Sequence, residues 1–106
     1  MKKSIKLNVP ERLELSTIIA GFGYNRALLQ QAEDTMKMIA FTPKELDVFG
    51  IHTDIVAGRT SWKENQDVEF DIPEDVTVKI MAYFDGLFKQ EKMTLHMKPL
   101  YDKFYS

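Results

Sequence analysis

Alternating apolar and polar residues predict β-strands at two places in the chain. Residues 5–9 alternate in this way and Pro10 follows them, which predicts a short, half-buried strand that the proline ends. Residues 67–72 alternate as cleanly, and residues 51–57 are also interpreted as a strand. We expect these last two segments to pair as a β-hairpin, with residues 58–66 as a long connecting loop that projects from the body.

Helices are predicted where a residue that can cap a helix is followed by apolar residues at spacings of three and four. The expected starts are Pro10, Asn25, the capping box Thr42-Pro43-Lys44-Glu45, a similar cap at Asp71-Ile72-Pro73-Glu74, and Thr94. The side chains expected to face the core are Leu13, Leu15, Ile18, Ile19, Leu28, Leu29, Ala32, Met36, Ile39, Leu46, Phe49, Val76, Ile80, Phe84, Leu87, Phe88, Leu95, Leu100, Tyr101 and Phe104.

Two further residues mark helix ends. Gly50 suits the left-handed conformation that closes a helix, so the third helix should stop there. Pro99 predicts that the last helix is kinked or begins near Met97, because a proline past the first turn loses a backbone hydrogen bond.

The order of these elements predicts the fold class. A short N-terminal strand, three helices, a β-hairpin and two C-terminal helices indicate a single α+β domain over residues 1–106. The same order occurs in a winged helix, in which the third helix enters the DNA major groove and the hairpin forms the wing.

Composition narrows the function classes. A formal charge of −2 gives no overall positive field for nucleic acid or anionic membrane. The absence of cysteine excludes disulfides, thiolate metal sites and cysteine nucleophiles, and makes the cytoplasm the expected location. No apolar run approaches the roughly 20 residues that span a bilayer, so we expect no membrane partner.

The residues with catalytic or metal-binding chemistry form no recognisable motif. His52 and Asp54 fall on one side of a predicted strand, but a zinc site takes at least three protein ligands, and His96 lies elsewhere. The carboxylates that could serve as acid and base are Glu64, Asp67, Glu69, Asp71, Glu74 and Asp75. Because no nucleophile or base accompanies them, we expect no catalytic, metal-binding or cofactor-binding residue, and an acid/base enzyme is the third-ranked hypothesis.

A protein partner is the leading hypothesis. Arg59, Trp62 and Lys63 in the predicted projecting loop are the candidate contact residues, since tryptophan and arginine dominate interaction hot spots. The alternative is a winged-helix nucleic-acid binder in which the same three residues contact phosphate and bases. The third helix argues against this use, because Lys44 there is outnumbered by Glu45 and Asp47.

Two other surfaces leave alternatives open. The aromatic C-terminal residues Tyr101, Phe104 and Tyr105 suit either a binding surface or a packed terminal helix. Short strands also leave sheet edges that a second copy of the chain could extend, so a homo-oligomer is possible.

Several motifs together resemble a known class of small proteins. They are the opening Leu7-Asn8-Val9-Pro10-Glu11-Arg12-Leu13, the middle Phe41-Thr42-Pro43-Lys44-Glu45-Leu46, the single Trp62, and the ending Leu95 to Phe104. In this pattern, which covers nearly the whole length, the chain resembles small accessory proteins encoded by phages and prophages. The resemblance implies a compact accessory protein and carries over no functional residues.

Overall fold

The structure of the protein, a computed structural model, describes residues 3–105. It has the predicted α+β fold. The elements in chain order are β1 (Lys3–Leu7), α1 (Val9–Ala20), α2 (Arg26–Ile39), α3 (Pro43–Val48), β2 (His52–Asp54), β3 (Arg59–Ser61), β4 (Val68–Ile72), α4 (Glu74–Lys89), a 3-10 helix (Leu95–Met97) and α5 (Lys98–Tyr105). The predicted order of strand, three helices, hairpin and two C-terminal helices is therefore confirmed. Among the helices of residues 3–105, none has the length and apolar character needed to cross a membrane.

The sheet at the core pairs the first strand with a strand from the second half of the chain. β1 and β4 pair in antiparallel register, with Ile5 opposite Phe70 and Leu7 opposite Val68. Alternation places Ile5, Leu7, Phe70 and Ile72 on the buried side of this sheet. The two strands with the cleanest alternation thus pair with each other, because together they give the helices one continuous apolar face.

The predicted pairing of residues 51–57 with residues 67–72 is therefore wrong. The hairpin that forms is shorter and pairs β2 with β3, so that His52 lies opposite Ser61 and Asp54 opposite Arg59. A tight turn reverses the chain at residues 55–58, which leaves β4 available to β1. The physical reason is burial, because the β2 side chains are exposed and offer β4 no apolar face.

The core lies between this sheet and four of the helices. α1, α2, α4 and α5 contribute its largest buried side chains, among them Leu15, Ile39, Ile80, Phe84 and Phe104. α4 is the central packing element, as the stripe of Val76, Ile80 and Phe84 predicts, and all three side chains are buried.

Local capping signals place three helix starts. Asn25 caps α2 by accepting a hydrogen bond from the Leu28 amide, and Thr42 and Glu45 form the predicted capping box of α3. Asn8 caps α1 with a second capping box, so Val9 is the first residue of α1 instead of the last residue of a strand. A side-chain oxygen that accepts from a backbone amide outweighs the alternating pattern here.

Two predictions about the later helices have different outcomes. The predicted cap at Asp71 is wrong, because that residue lies in β4 and α4 follows Pro73 without a side-chain cap. The late start of the last helix is confirmed, since α5 begins at Lys98 and Pro99 occupies its first turn, where a missing amide hydrogen costs little.

Several apolar residues that were expected to face the core are exposed. They are Leu29, Leu46, Phe88 and Leu95. In α2 the buried face is Ala32, Thr35 and Ile39. α3 is only six residues long. Phe49, which caps its C-terminal end, is buried, while Leu46 remains outside.

A buried arginine holds α3 against the rest of the molecule. Arg12 is 1% exposed and donates two hydrogen bonds to the Glu45 carboxylate, at 2.7 and 2.9 Å. It also donates to the carbonyl oxygens of Ile39 and Ala40 at the end of α2, at 3.0 and 2.9 Å. The guanidinium lies over the Phe41 ring, 4.1 Å from its centre. One side chain of α1 therefore fixes the end of α2 and the start of α3 together.

Candidate functional site

The side chains of the β2–β3 hairpin are nearly all exposed, and hydrogen bonds fix the shape of its turn. The Asp54 carboxylate accepts hydrogen bonds from the amides of Val56 and Ala57, at 3.0 and 3.2 Å. Gly58 has a φ of +65°, which other residues adopt only at a cost. The side chain of Asp54 and the backbone of Gly58 therefore fix the shape of the turn.

The tip of this hairpin is apolar. Ile55 is 90% exposed and Val56 is 99% exposed, so neither side chain contributes to the core. Sequence reasoning missed them because isoleucine and valine are common in β-strands, so the predicted strand continued through residue 57. The pattern Asp54-Ile55-Val56-Ala57-Gly58, in which an aspartate and a glycine bracket three residues, is the signal that could have predicted a turn here.

The base of the hairpin is attached through backbone atoms. Phe49 is buried, and its carbonyl oxygen accepts the amides of Lys63 and Glu64 at 2.8 and 3.0 Å. A side chain adds a third bond, since Oδ1 of the next residue, Asn65, accepts the amide of Val9 at 2.9 Å. These bonds connect the hairpin to the end of α3 and to the start of α1.

The three predicted contact residues lie in β3 and directly after it, and they do not form a single cluster. Arg59 is exposed at the tip end of β3, opposite Asp54. Lys63 is exposed at the base, and its methylene groups pack on Gly50, where a Cβ atom would lie within 2.9 Å of them. Trp62, which precedes Lys63, is 37% exposed and lies against the body.

Trp62 borders a groove of about 540 Å³ that runs beside α1. Leu13 and Glu14 of α1 line one part of it, and Tyr83 and Met97 line another. A groove of this volume lies in the range that accommodates a small ligand or a few side chains of a partner. The tryptophan therefore forms one exposed wall of a concave surface.

Glu14 gives the groove an unusual electrostatic character. Its Oε1 atom is buried without a hydrogen-bond partner, and its Oε2 atom lies 3.4 Å from Nε2 of His96. Burial raises the pKa of this carboxyl above its ordinary value, while His96 lowers the pKa and Glu11 raises it further. A buried polar atom without a partner costs about 1–3 kcal/mol, which a ligand that donates a hydrogen bond would offset.

The predicted carboxylate set is distributed over separate contacts. Glu69 accepts a hydrogen bond from Ser4, Asp67 lies 3.7 Å from Lys103, and Asp75 accepts from Gln31. Within residues 3–105 no group of three or more histidine, cysteine, aspartate or glutamate side chains is arranged to hold a metal ion.

The C-terminal aromatic residues belong to different environments. Phe104 is buried, and Tyr101 packs edge-on against Phe84, with ring centres 5.7 Å apart. Tyr105 is partly exposed and donates a hydrogen bond to Asp85 at 2.9 Å. The packed-helix alternative therefore holds for Phe104, whereas the outer ring of Tyr105 remains accessible.

Comparison with protein-family models, with curated proteins and with solved structures finds no match to this chain. The functional proposal therefore depends on the chain's own residues.

Proposed function

We propose that this protein is a non-enzymatic interaction module that binds another protein through the tip of its β2–β3 hairpin. The observation that carries the proposal is the exposure of Ile55 and Val56, which are 90% and 99% accessible. They lie in a turn whose shape is fixed by hydrogen bonds to the Asp54 carboxylate. Two adjacent β-branched side chains in this position lie outside the core and gain burial only when another molecule covers them.

The energetics favour an anchor at this tip. Complete burial of a valine or isoleucine side chain contributes about 1.5–3 kcal/mol, so the two residues together could supply several kcal/mol to a complex. The turn is already fixed by Asp54 and by Gly58, which lowers the conformational entropy lost on binding.

The neighbouring residues suit the edge of such an interface. Arg59 lies beside the tip on β3 and is exposed, so its guanidinium can reach carboxylate or carbonyl groups of a partner. Trp62 directly follows the other end of the same strand and borders the groove. Arginine and tryptophan are the residue types that contribute most at interfaces.

The test compares affinity capture from the native host by the wild-type protein and by a double variant, Ile55→Ser with Val56→Ser. We expect the wild type to retain a specific protein and the double variant to lose it. Because neither side chain is buried, the melting temperature of the double variant should remain within about 2 °C of the wild type.

The matched control removes two exposed apolar side chains elsewhere, Leu29→Ser in α2 with Val78→Ser in α4. This control should capture the same protein as the wild type. Equal capture by the tip variant and the wild type, or equal loss in the tip variant and the control, would contradict the proposal. Capture of a second copy of the chain, checked by sedimentation, would identify the partner as the protein itself.

Nucleic-acid binding has weaker support as the alternative. Lys44 of α3 is outnumbered by Glu45 and Asp47, and the tip between β2 and β3 is apolar instead of basic. The test is a DNA titration at low salt with the variant Arg59→Ala plus Lys63→Ala. Binding that both this variant and added salt abolish would replace the protein-binding proposal.

The origin and location of the protein stay predictions. We expect an accessory protein of a phage or another mobile element that acts in the cytoplasm, and the identity of the captured partner bears on both.

A further inference from the structure

We propose that the groove beside Trp62 binds the guanidinium group of an arginine side chain in a peptide segment of a partner. This site is separate from the hairpin tip, and the inference does not rest on the proposed function. It rests on three features of the groove, which are its single carboxylate, its aromatic walls and the nature of the group that now covers the carboxylate.

The first feature is a carboxylate with one oxygen atom that accepts no hydrogen bond. Oε1 of Glu14 has no hydrogen-bond partner, and the side chain as a whole is 19% exposed at the groove. The other acidic residue nearby, Glu11, is already paired with Lys103 at 2.5 Å. Glu14 is thus the carboxylate with hydrogen-bonding capacity to offer a ligand, and a guanidinium can donate to both of its oxygens at once.

The second feature is the composition of the walls. The indole of Trp62 and the ring of Tyr83 line the groove, together with the thioether of Met97. No lysine or arginine is among the described residues that line it. Aromatic faces beside a carboxylate attract a flat cation, and arginine stacks on such faces better than lysine does. The same carboxylate would repel a phosphate, which argues against nucleic acid as the occupant.

The third feature is the ring that covers Glu14. His96 lies 3.4 Å from the carboxylate, and its side chain is 82% exposed. An imidazole nitrogen offers the carboxylate a single hydrogen bond, whereas a guanidinium can offer two. Because the ring has few contacts, it can turn outward at little cost and leave Glu14 to a stronger cation. His96 and Glu14 also border a second groove of about 210 Å³, which gives the displaced ring room.

The test uses capped synthetic tripeptides, Ala-Arg-Ala, Ala-Lys-Ala and Ala-Gln-Ala. Trp62 is the single tryptophan of the chain, so its fluorescence reports on the groove directly. We expect Ala-Arg-Ala to change this fluorescence in a saturable way, Ala-Lys-Ala to bind more weakly, and Ala-Gln-Ala to have no effect. Equal responses to the arginine and glutamine peptides, or no response to any of them, would overturn the proposal.

Three variants assign the effect to named residues. Glu14→Gln should weaken binding of the arginine peptide by at least about tenfold, while His96→Ala should maintain or strengthen it. Glu33→Gln, which changes an exposed glutamate of α2 in the same way, should bind like the wild type. Unchanged affinity in Glu14→Gln would refute the assignment.

The double variant of the hairpin tip separates this proposal from the proposed function. Ile55→Ser with Val56→Ser should bind the arginine peptide with unchanged affinity even if it captures no partner. Loss of peptide binding in that variant would show that the peptide contacts the hairpin and not the groove.

Discussion

Replacing Glu45 with glutamine tests how strongly the Arg12–Glu45 pair stabilises the fold. The two side chains are joined by hydrogen bonds of 2.7 and 2.9 Å, and Arg12 is 1% exposed. Glutamine still offers an oxygen to the Thr42 amide, so the capping box of α3 can persist. The substitution Glu45→Gln therefore removes the negative charge opposite a buried arginine. It also removes one of the two hydrogen bonds from Arg12, because an amide nitrogen replaces one of the accepting oxygens.

The expected magnitude follows from the pKa of Glu45. Hydrogen bonds from Arg12, together with the Thr42 amide, lower this pKa from 4.5 to about 2 against the opposing effect of burial. Each pH unit corresponds to about 1.4 kcal/mol, so the ionised carboxylate contributes at most about 3 kcal/mol to folding. The Glu45 side chain is 21% exposed, and partial contact with water reduces this value to about 2–3 kcal/mol.

The sign of the pH dependence is fixed by the direction of this change. Since the pKa of Glu45 is lower in the folded protein, its contribution is fully present above pH 4.5 and is lost as the pH falls toward 2. Glu45→Gln should reduce the free energy of unfolding by about 2–3 kcal/mol at pH 7. The gap between variant and wild type should narrow as the pH falls from about 4.5 to about 2.

Urea unfolding followed by far-ultraviolet circular dichroism measures this difference at each pH. The control is Glu33→Gln, which breaks an exposed pair with Lys37 whose side chains are 55% and 72% accessible. It should cost less than about 0.5 kcal/mol at any pH. A loss below about 1 kcal/mol in Glu45→Gln, or a gap that does not change with pH, would refute the reasoning.

Two further predictions concern glycines and a tyrosine. Gly50→Ala and Gly58→Ala should each cost about 1 kcal/mol or more because both glycines have positive φ, and Gly50→Ala should cost more since its new Cβ would lie 2.9 Å from a lysine side chain. Gly86 lies in α4 with open space around it, so Gly86→Ala should raise the free energy of unfolding by about 1 kcal/mol. Equal effects of the three substitutions in thermal unfolding would contradict these expectations. Burial and the hydrogen bond to Asp85 raise the pKa of Tyr105 to about 12, so its stabilising contact persists below pH 10 and is lost as the pH rises toward 12. Asp85→Asn should lower that pKa toward 10 in an ultraviolet titration of tyrosinate, and an unchanged titration curve would argue against the contact.

Short-range signals predicted the elements of this fold well. Asn25 and the box of Thr42 and Glu45 begin helices where the sequence places them, and Gly50 has the left-handed conformation expected of it. These signals work because a cap or a turn depends on atoms within a few residues of each other. Alternation likewise predicted the buried face of β4 correctly.

Long-range contacts were beyond the sequence pattern. Ile5 and Phe70 are paired across 65 positions, and nothing in the local alternation selects β4 as the partner of β1 over a nearer strand. Arg12 is a charged residue on a helix, so the pattern assigns it to the surface, whereas Glu45 and two backbone carbonyls make its burial favourable. Only the assembled fold brings those partners together.

The candidate site also has residues that the sequence predicts and residues that only the fold reveals. Trp62 and Arg59 could be selected from residue type alone, but the carboxylate of Glu14 could not, because its distinctive property is the environment that α1 and the 94–97 segment create around it. The exposed tip of Ile55 and Val56 was hidden by their strand-forming character.

The backbone hydrogen bonds that attach the hairpin to the body affect which changes its surface tolerates in evolution. The Phe49 carbonyl receives two main-chain amides, and these bonds form whatever side chains follow the hairpin, provided that no proline occupies either position. The exposed side chains of the hairpin can therefore change by neutral mutation while these backbone hydrogen bonds remain. Under the proposed function, substitutions at a few tip positions would change the partner without changes to the scaffold.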